Sequence, residues 1–539
     1  MSKLLCYNMQ KNSALGEKMH QSYFLTIDAG TGSGRAVIFD TLGNQIGIGQ
    51  QEWSHPSEEG VANSMGFEFK TNWQIISTCI KAAIEKAGIK AEMIKAVTAT
   101  SMREGIVLYD REGKELFAVA NVDARADKEV AELKREFPES ERDFYAQSGQ
   151  TYALGALPRL LWLKRNRPYL YEQTASMNMI SDWVLTKLSG TVASEPSNAG
   201  TSGIFSLEKR QWAPEMAKKV GLKDDIFPPV YESGTIIGEV TRKAADETGL
   251  AAGTPVVTGG GDVQLGSAGL GVVEAGEVAV LGGTFWQQLV NMPNAKTDPK
   301  MDVRVNPHVI PGISQAEGIT FFSGLVMRWF RDALCQSEVS EAKRRGMDPY
   351  GYLEELAASV PVGSNGILPI FSDTMHYGRW YHAAPSFLNL SLDASLSSKG
   401  AMFRALEENA AIVSMLNLES IFRFTGVQSE SITFAGGASK GRLWSQILAD
   451  VTGREVKIPN VNEATSLGGA FACGVAIGEY KSIAEAAKEL VKWDKSYTPD
   501  RENYAAYQEV ASRWQAAYAA QLKLVDEGVT RSMWKAPGL

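Results

Sequence analysis

The glycine-rich stretch near the amino terminus reads Asp28-Ala29-Gly30-Thr31-Gly32-Ser33-Gly34-Arg35. Its glycines allow the backbone to turn tightly and to approach a ligand closely, and successive amides in such a turn form a concave anion site. Thr31 and Ser33 add hydroxyl donors, and Arg35 adds a positive charge. Asp28 ends an apolar run, where a carboxylate is well placed to hold a hydrated Mg²⁺. The pattern indicates a phosphate-binding loop, with an ordinary hairpin turn as the alternative.

The segments that flank this loop predict β-strands. Residues 23–28 and 35–40 are apolar runs, and residues 45–53 form a third strand-like run after a turn. A dinucleotide-binding loop requires a helix directly after its glycines, and a P-loop requires G-x-x-x-x-G-K-S/T, which this chain lacks. We therefore predict a β-meander, followed by a helix over 72–87 and a strand over 95–100.

A comparable order of elements returns in the second half of the chain. It comprises predicted strands at 276–281, 285–291, 313–319 and 431–434, then a helix over 441–452. Two α/β halves with a similar strand order suggest an internal duplication. The length of 539 residues also suits two large domains better than one. The glycine-rich region at 266–276 is the predicted boundary.

Three further glycine-rich stretches follow predicted strands. The stretch Gly259-Gly260-Gly261-Asp262-Val263-Gln264-Leu265-Gly266 is predicted to be a loop that exposes Asp262 to whatever approaches its backbone. Phosphoryl transfer needs a base for the hydroxyl proton, so Asp262 is the candidate base, with a turn-forming Asp as the alternative. Gly282-Gly283-Thr284 and Gly436-Gly437-Ala438-Ser439 have the positions expected of a phosphate loop and an adenine loop. Each is weak evidence alone; four such loops in order favour a nucleotide site.

Composition excludes several classes of partner. The net charge is −8 with no block of Lys or Arg, which argues against nucleic acid. The four cysteines, at positions 6, 79, 335 and 473, form no C-x-x-C pair, so neither a disulfide framework nor a thiolate zinc site is indicated. Residues 1–22 lack the apolar core of a signal peptide and no later stretch suits a membrane span. We predict a cytoplasmic protein with a flexible extension over 1–22 and no membrane partner.

These motifs together resemble a known family. The loop at 28–35 resembles the phosphate loop of the actin-like ATPase superfamily, and residues 23–529 resemble the FGGY family of carbohydrate kinases, which includes glycerol, xylulose and ribulose kinases. The matching segments, in the family's order, are 156–163, 181–184, 197–201, 261–262, 283–284, 436–440 and 463–468. The resemblance implies an α/β fold of two actin-like (ribonuclease H-like) ATPase domains with a ligand cleft between them. It assigns substrate and base to residues 23–270 and ATP to residues 271–529, with a tail at 530–539.

The resemblance also implies roles for individual residues. Asp262 would be the catalytic base, and Asp28 and Asp262 would lie beside Mg²⁺. The implied substrate-binding residues are Arg103, Glu104, Asp123 and Arg125, although an ordinary surface ion pair is the alternative for the first two. The implied ATP-binding residues are Gly30, Thr31, Ser33, Arg35, Gly283 and Thr284 around the phosphates, and Gly436, Gly437 and Ser439 near the adenine.

Longer matches narrow the resemblance within the family. Residues 101–105, 120–125, 283–288, 304–312 and 534–539 are similar to those of kinases that act on a small signalling dihydroxy-dione. Glycerol kinases have Trp where Asn121 stands and Gln where Val263 stands, which argues against glycerol. A pentulose or polyol kinase is the alternative within the family, and a nucleotide-driven switch protein is the alternative outside it. Besides ATP and the acceptor, family analogy suggests a phosphotransferase-system regulator and a second copy of the chain as partners.

Overall fold

The structure of the chain, a computed structural model, describes residues 22–136 and 139–539. They divide into two compact units. The first comprises the described chain up to Val273, together with Pro307–Gly312 and Val461–Val491; the second comprises Glu274–Asn306, Ile313–Asn460 and Lys492–Leu539. The predicted flexible extension lies outside the described residues except for Ser22. Within the described ranges, no helix combines the length and the apolar character that crossing a membrane requires.

The first unit is built on a six-stranded sheet. From edge to edge its strands are Ile236–Glu239, Pro255–Gly261, Ile94–Ser101, Tyr23–Ala29, Ser33–Asp40 and Gln45–Glu52. The last three are antiparallel, which confirms the predicted β-meander. The second, third and fourth strands in this order are parallel to one another. Since the carboxyl ends of parallel strands meet at one edge, the segments that follow these three strands lie together, as in other α/β proteins with ligand sites.

The side chains of the strand Tyr23–Ala29 alternate between the two faces of the sheet, and both faces are covered. Tyr23, Leu25 and Ile27 pack on one face, in a core that includes the helix Phe69–Ala87. Phe24 belongs to the opposite face, where the core includes the helix Ala464–Ala476. Successive side chains of a strand point to opposite faces, and a strand buried on both faces reads as a continuous apolar run. The segment 461–491, distant in sequence, thus forms part of the core of the first unit.

Smaller elements complete the first unit. A three-stranded antiparallel sheet contains Glu115–Val119, Ile106–Tyr109 and Ser176–Met179, and a two-stranded one contains Phe205–Ser206 and Gln211–Trp212. The remaining helices are Asp127–Glu136, Ser140–Ser148, Ala156–Asn166, Pro168–Gln173, Ile180–Ser189, Pro196–Ala199, Pro214–Lys219, Arg242–Thr248, Asp262–Gly269 and Ile483–Leu490. Short 3₁₀ turns occupy Ala91–Met93 and Gly200–Ser202.

The second unit repeats the sheet of the first with one strand added. Its order is Arg304–Pro307, Ser314–Thr320, Trp286–Met292, Val278–Gly282, Ser431–Ala435, Glu455–Pro459 and Trp493–Tyr497. Without the strand Arg304–Pro307, the order of antiparallel and parallel neighbours is that of the first unit when the first unit is followed from its edge strand Gln45–Glu52. This repeated topology supports the predicted internal duplication. Its helices are Ser323–Leu334, Gln336–Arg344, Pro349–Ala358, Lys399–Thr425, Arg442–Thr452 and Arg501–Asp526, with 3₁₀ turns at Ser364–Gly366 and Gly437–Lys440 and a hairpin of Leu368–Ile370 with Ser386–Leu388.

One predicted loop is wrong. Gly259 to Gly261 continue the strand Pro255–Gly261, and Asp262 is the first residue of the following helix. The physical reason is close packing of backbones: a Cβ at Gly259 would lie 2.0 Å from the carbonyl oxygen of Ala99 on the neighbouring strand. The glycines therefore allow two strands to approach, rather than forming a turn.

Candidate active site

Two acidic side chains and one basic side chain lie at, or directly after, the carboxyl ends of the parallel strands of the first unit. Asp28 is in the strand Tyr23–Ala29, Arg103 follows Ile94–Ser101, and Asp262 follows Pro255–Gly261. The Nε atom of Arg103 lies 3.7 Å from Oδ1 of Asp262. The Arg103 side chain is only 4% exposed, whereas the Asp262 side chain is 37% exposed. The structure thus brings together three of the predicted site residues and leaves the Asp262 side chain partly exposed.

The surroundings of Asp262 give it a pKa suited to proton transfer. Burial among protein atoms raises its pKa to about 7; Arg103 opposes the rise, and the carboxylates of Asp28 and Glu104 add to it. The backbone amide of Val263 donates a hydrogen bond of 2.8 Å to Oδ1 and fixes the side chain. A carboxyl group with a pKa near neutrality is an effective general base at physiological pH.

Asp28 belongs to a charged network with Arg35 and Glu463. Burial raises the pKa of Asp28 to about 6, Arg35 opposes this rise, and Glu463 adds to it. Nε of Arg35 is 3.7 Å from Asp28 Oδ2, and Nη1 donates to Glu463 Oε2 at 2.8 Å. Arg35 was predicted to contact phosphate; that role stays a prediction, and its guanidinium is already held by two carboxylates. Glu463 lies in a segment that we matched to the family without assigning it a role.

The glycine-rich loop is a hairpin connection whose carbonyl groups are contacted by the side chains of Trp53 and His55. The amide of Gly30 donates to the carbonyl of Ser33 at 3.0 Å. The indole Nε1 of Trp53 donates to the carbonyls of Gly30 and Thr31, at 3.0 and 3.3 Å. Nε2 of His55 lies 2.7 Å from the Thr31 carbonyl. The geometry is that of a hairpin turn, and the phosphate-binding role of Gly30, Thr31 and Ser33 stays a prediction.

The predicted substrate residues Asp123 and Arg125 are paired with each other. Nε of Arg125 lies 2.9 Å from both carboxylate oxygens of Asp123, and Nη1 donates to Glu58 Oε2 at 2.9 Å. The Arg125 guanidinium also lies over the rings of Phe117 and Trp162, at 5.1 and 4.9 Å from their centroids. The Asp123 and Arg125 side chains are 0% and 2% exposed, so these contacts with neighbouring protein groups stabilise the conformation of the segment 121–125. Direct contact with a substrate stays a prediction for both.

A series of hydrogen bonds stabilises the end of the strand that precedes Asp262. Glu195 Oε2 accepts hydrogen bonds from the hydroxyl and the amide of Ser197, at 2.6 and 2.8 Å. The hydroxyl oxygen of Ser197 accepts from the Gly261 amide at 2.9 Å. Asn198 donates to the hydroxyl of Ser101, at the end of the neighbouring strand, at 3.0 Å. The matched segment 197–201 therefore connects the two strand ends that carry Arg103 and Asp262.

In the second unit, two of the predicted nucleotide loops are neighbours. Gly436 has a φ of +96°, and a Cβ there would lie 2.7 Å from the carbonyl oxygen of Gly282. The amide and hydroxyl of Ser439 donate to the Gly436 carbonyl, at 3.3 and 2.9 Å. The structure thus brings the stretch at 282–284 beside the stretch at 436–439, with Gly283, Thr284 and Gly437 exposed.

The donor set of the first unit fits a magnesium ion that is bound together with phosphates. Among residues 22–136 and 139–539, no group of three or more His, Cys, Asp or Glu side chains is placed to hold a metal by itself. Asp28 raises the pKa of Asp262, so a cation near both carboxylates would relieve their repulsion. Mg²⁺ is typically held by one or two carboxylates with waters and substrate phosphates. Asp28 and Asp262 match that pattern.

Comparisons with known proteins agree with this architecture. The models of the FGGY family of carbohydrate kinases match residues 23–269 (N-terminal domain) and 289–477 (C-terminal domain). The autoinducer-2 kinase of Enterobacter sp. (strain 638) is 58% identical over 519 residues, which is 96% of this chain and 98% of that protein. The autoinducer-2 kinase of Klebsiella pneumoniae subsp. pneumoniae is 57% identical over 520 residues, again 96% and 98%.

Solved structures confirm the predicted α/β fold class of two actin-like ATPase domains. The xylulose kinase from Rhodospirillum rubrum has a TM-score of 0.81 at 22% identity, covering 92% of this chain and 98% of that chain. The gluconate kinase from Lactobacillus acidophilus also has a TM-score of 0.81, at 18% identity, covering 93% and 98%. At these identities the similarity shows the fold alone.

Proposed function

Because the chain belongs to the FGGY family of carbohydrate kinases, we propose that it transfers the γ-phosphate of ATP to the terminal hydroxyl of autoinducer-2 (4,5-dihydroxypentane-2,3-dione). The observation that carries the choice of acceptor is the 58% identity, over nearly the whole chain, to a protein named autoinducer-2 kinase. The solved kinases of xylulose and gluconate are far less similar, at 22% and 18% identity, and do not indicate the acceptor.

In the proposed mechanism, Asp262 is the general base. Its carboxylate accepts the proton of the terminal hydroxyl as that oxygen attacks the γ-phosphorus; the new O–P bond forms while the bond to the ADP oxygen breaks. Arg103, 3.7 Å from the carboxylate, holds its orientation together with the amide of Val263. Arg103 and Glu104 also supply hydrogen-bond donors and acceptors of the kind that a polyhydroxylated substrate requires.

The proposed contacts of the nucleotide and its metal follow the roles that the family resemblance implies. Asp28 and Asp262 would hold Mg²⁺, which neutralises charge on the transferring phosphoryl group when bound. Gly30, Thr31, Ser33, Arg35, Gly283 and Thr284 are the proposed phosphate contacts. Gly436, Gly437 and Ser439 are the proposed adenine contacts. Glu463 supports this set indirectly, because it holds the guanidinium of Arg35 at 2.8 Å.

The partners beyond ATP and the acceptor rest on family analogy. We infer that the protein acts in the cytoplasm, where imported autoinducer-2 and ATP are both present. A phosphotransferase-system regulator and a second copy of the chain are the proposed protein partners. The net charge of −8, without a basic block, supports the absence of a nucleic-acid partner.

The test is a side-by-side comparison of acceptors. We would measure acceptor-dependent ADP release by the purified protein with the dione, D-xylulose, D-ribulose and glycerol, using the Asp262→Asn variant as a blank for contaminating ATPases. We expect kcat/KM for the dione to exceed that for every sugar at least tenfold. A clear preference for a sugar would reject the choice of acceptor. ADP release that is independent of any acceptor would favour a nucleotide switch and reject the kinase mechanism.

A further inference from the structure

A buried guanidinium lies beneath the proposed acceptor residues without belonging to them. Arg159, on the helix Ala156–Asn166, is 2% exposed. Its Nη1 donates to the carbonyl of Glu104 at 2.5 Å, and its Nη2 donates to the carbonyls of Asn121 and Asp123, both at 2.8 Å. One cation therefore joins three backbone carbonyls that lie 36 to 55 residues away in sequence.

Burying the Arg159 guanidinium costs free energy of folding, which indicates that its hydrogen bonds to the three carbonyl groups have a specific role. Burial lowers the pKa of Arg159, which reflects the unfavourable transfer of its charge out of water. The helix Ala156–Asn166 is largely buried, and an apolar residue of similar size at a buried position is often as stable as a charged one, so packing alone does not require an arginine at position 159. Arg differs from other side chains in its rigid, planar fork of donors, which can fix several acceptors at set distances. The geometry thus indicates a role in positioning backbone.

The first segment that Arg159 holds is the turn at Glu104. Glu104 has a φ of +62°, a conformation that non-glycine residues adopt only when their surroundings enforce it. Its carbonyl is held by Arg159, and its amide donates to the hydroxyl of Thr201 at 3.1 Å. The preceding residue is Arg103, whose Nε lies 3.7 Å from Asp262. The conformation at Glu104 therefore sets where the Arg103 and Glu104 side chains project.

The second segment is the turn that follows the strand Glu115–Val119. The side-chain amide of Asn121 donates to the hydroxyl oxygen of Thr31 at 3.1 Å, which connects this turn to the glycine-rich loop. The carboxylate of Asp123 accepts from the Met65 amide at 2.6 Å and pairs with Arg125. Through two carbonyls, Arg159 thus fixes a segment that contacts the predicted phosphate loop.

We propose that Arg159 is a positioning residue for the acceptor site, fixing the spacing between the turn at 103–104 and the turn at 121–125 and thereby setting the affinity for the acceptor. The inference rests on the proposed function, because it takes those two turns as the acceptor-binding segments. It requires no contact between Arg159 and any ligand. A small polyhydroxylated acceptor depends on such spacing, since each of its hydroxyl groups needs a partner at hydrogen-bond distance.

The test compares Arg159→Lys with a matched variant. Lysine keeps the charge and the apolar stem, but its single nitrogen cannot reproduce the planar fork. We expect the KM for the acceptor to rise at least tenfold, the KM for ATP to stay within about twofold, and the preference for the dione over D-xylulose to fall. The control is Arg404→Lys, which alters another buried arginine, in the second unit, whose guanidinium donates to Glu408 at 2.9 Å. It should lower thermal stability without changing the acceptor KM.

Two results would overturn the inference. The first is an Arg159→Lys protein in which only the melting temperature and the active fraction fall while the acceptor KM is unchanged. The second is failure of both Arg159→Lys and Arg159→Gln to fold, which would show that the role is stability alone. Failure of the proposed function is recognised separately: the unsubstituted protein would then show no acceptor-dependent ADP release. If it instead prefers another acceptor, the same KM comparison is made with that compound.

Discussion

The ionisation of Asp262 should set the pH dependence of phosphoryl transfer. Burial raises the pKa of this carboxyl group to about 7, and only its ionised form can accept the hydroxyl proton. With a single group of that pKa, roughly one tenth of the protein is active at pH 6 and roughly nine tenths at pH 8. We therefore expect kcat/KM to rise about tenfold over this interval, in proportion to the ionised fraction, and to level off above it.

The charged neighbours provide an internal check on this assignment. Arg103 lowers the pKa of Asp262, so Arg103→Gln should move the ascending limb of the profile to higher pH. Asp28 raises it, so Asp28→Asn should move the limb to lower pH. Both variants will lose activity, because both residues belong to the proposed site. The position of the limb can still be read, since it does not depend on the amplitude.

The assay is acceptor-dependent ADP release at constant ionic strength, with kcat/KM measured for MgATP, because this parameter reports the ionisation of the protein before the nucleotide and its metal bind. Doubling the coupling enzymes at each pH serves as the control for their own pH dependence. A profile that stays flat between pH 6 and pH 8 would refute the assignment of Asp262. So would displacement of the limb in the same direction by both variants.

Two further predictions concern stability, measured by scanning calorimetry without ligands. Burial raises the pKa of Glu195 from 4.5 to about 7, so the folded protein binds an extra proton between those values and loses stability as pH rises through them, by up to about 3 kcal/mol. Glu195→Gln should therefore gain thermal stability relative to the unsubstituted protein at pH 8 compared with pH 5; an equal difference at both pH values would contradict this. Gly436→Ala should lower stability by about 2 kcal/mol or more, because its Cβ meets the Gly282 carbonyl at positive φ. Gly437→Ala, where nothing lies within 4 Å of a Cβ, should leave stability nearly unchanged, and equal effects would contradict the packing argument.

The local parts of the fold could be predicted from the sequence. The strands of the meander begin and end within two residues of their predicted bounds, because apolar runs and the turn that separates them determine such elements locally. The helix Phe69–Ala87 begins three residues before its predicted start. The part of the strand Pro255–Gly261 that contains the glycines was wrongly predicted to be a loop. These glycines are required by close contact with a backbone that is 160 residues away in sequence, and no local pattern encodes such a contact.

The candidate site was predictable in its residue types but not in its connections. The sequence indicated Asp28, Arg103 and Asp262 as site residues. The parallel strand order that brings them to one edge of the sheet could not be predicted from the sequence. Glu463 could not be connected to Arg35, because 428 residues separate them and the segment 461–491 joins the first unit through packing and hydrogen bonds between residues that are distant in sequence. The carbonyl contacts of Arg159 were equally hidden, since a backbone acceptor leaves no signature in a side-chain motif.

The most direct test of the account is single-turnover transfer of phosphate from ATP to the dione by the Asp262→Asn protein. Asparagine preserves the size of the side chain and removes its ability to accept a proton, and a general base contributes about 10²- to 10⁴-fold to such a step. The account predicts a loss of transfer rate in that range, with the dissociation constant for ATP, measured by equilibrium titration in Mg²⁺, remaining within about threefold. Transfer by Asp262→Asn at a rate close to that of the unsubstituted protein would contradict the assignment of Asp262 as the base.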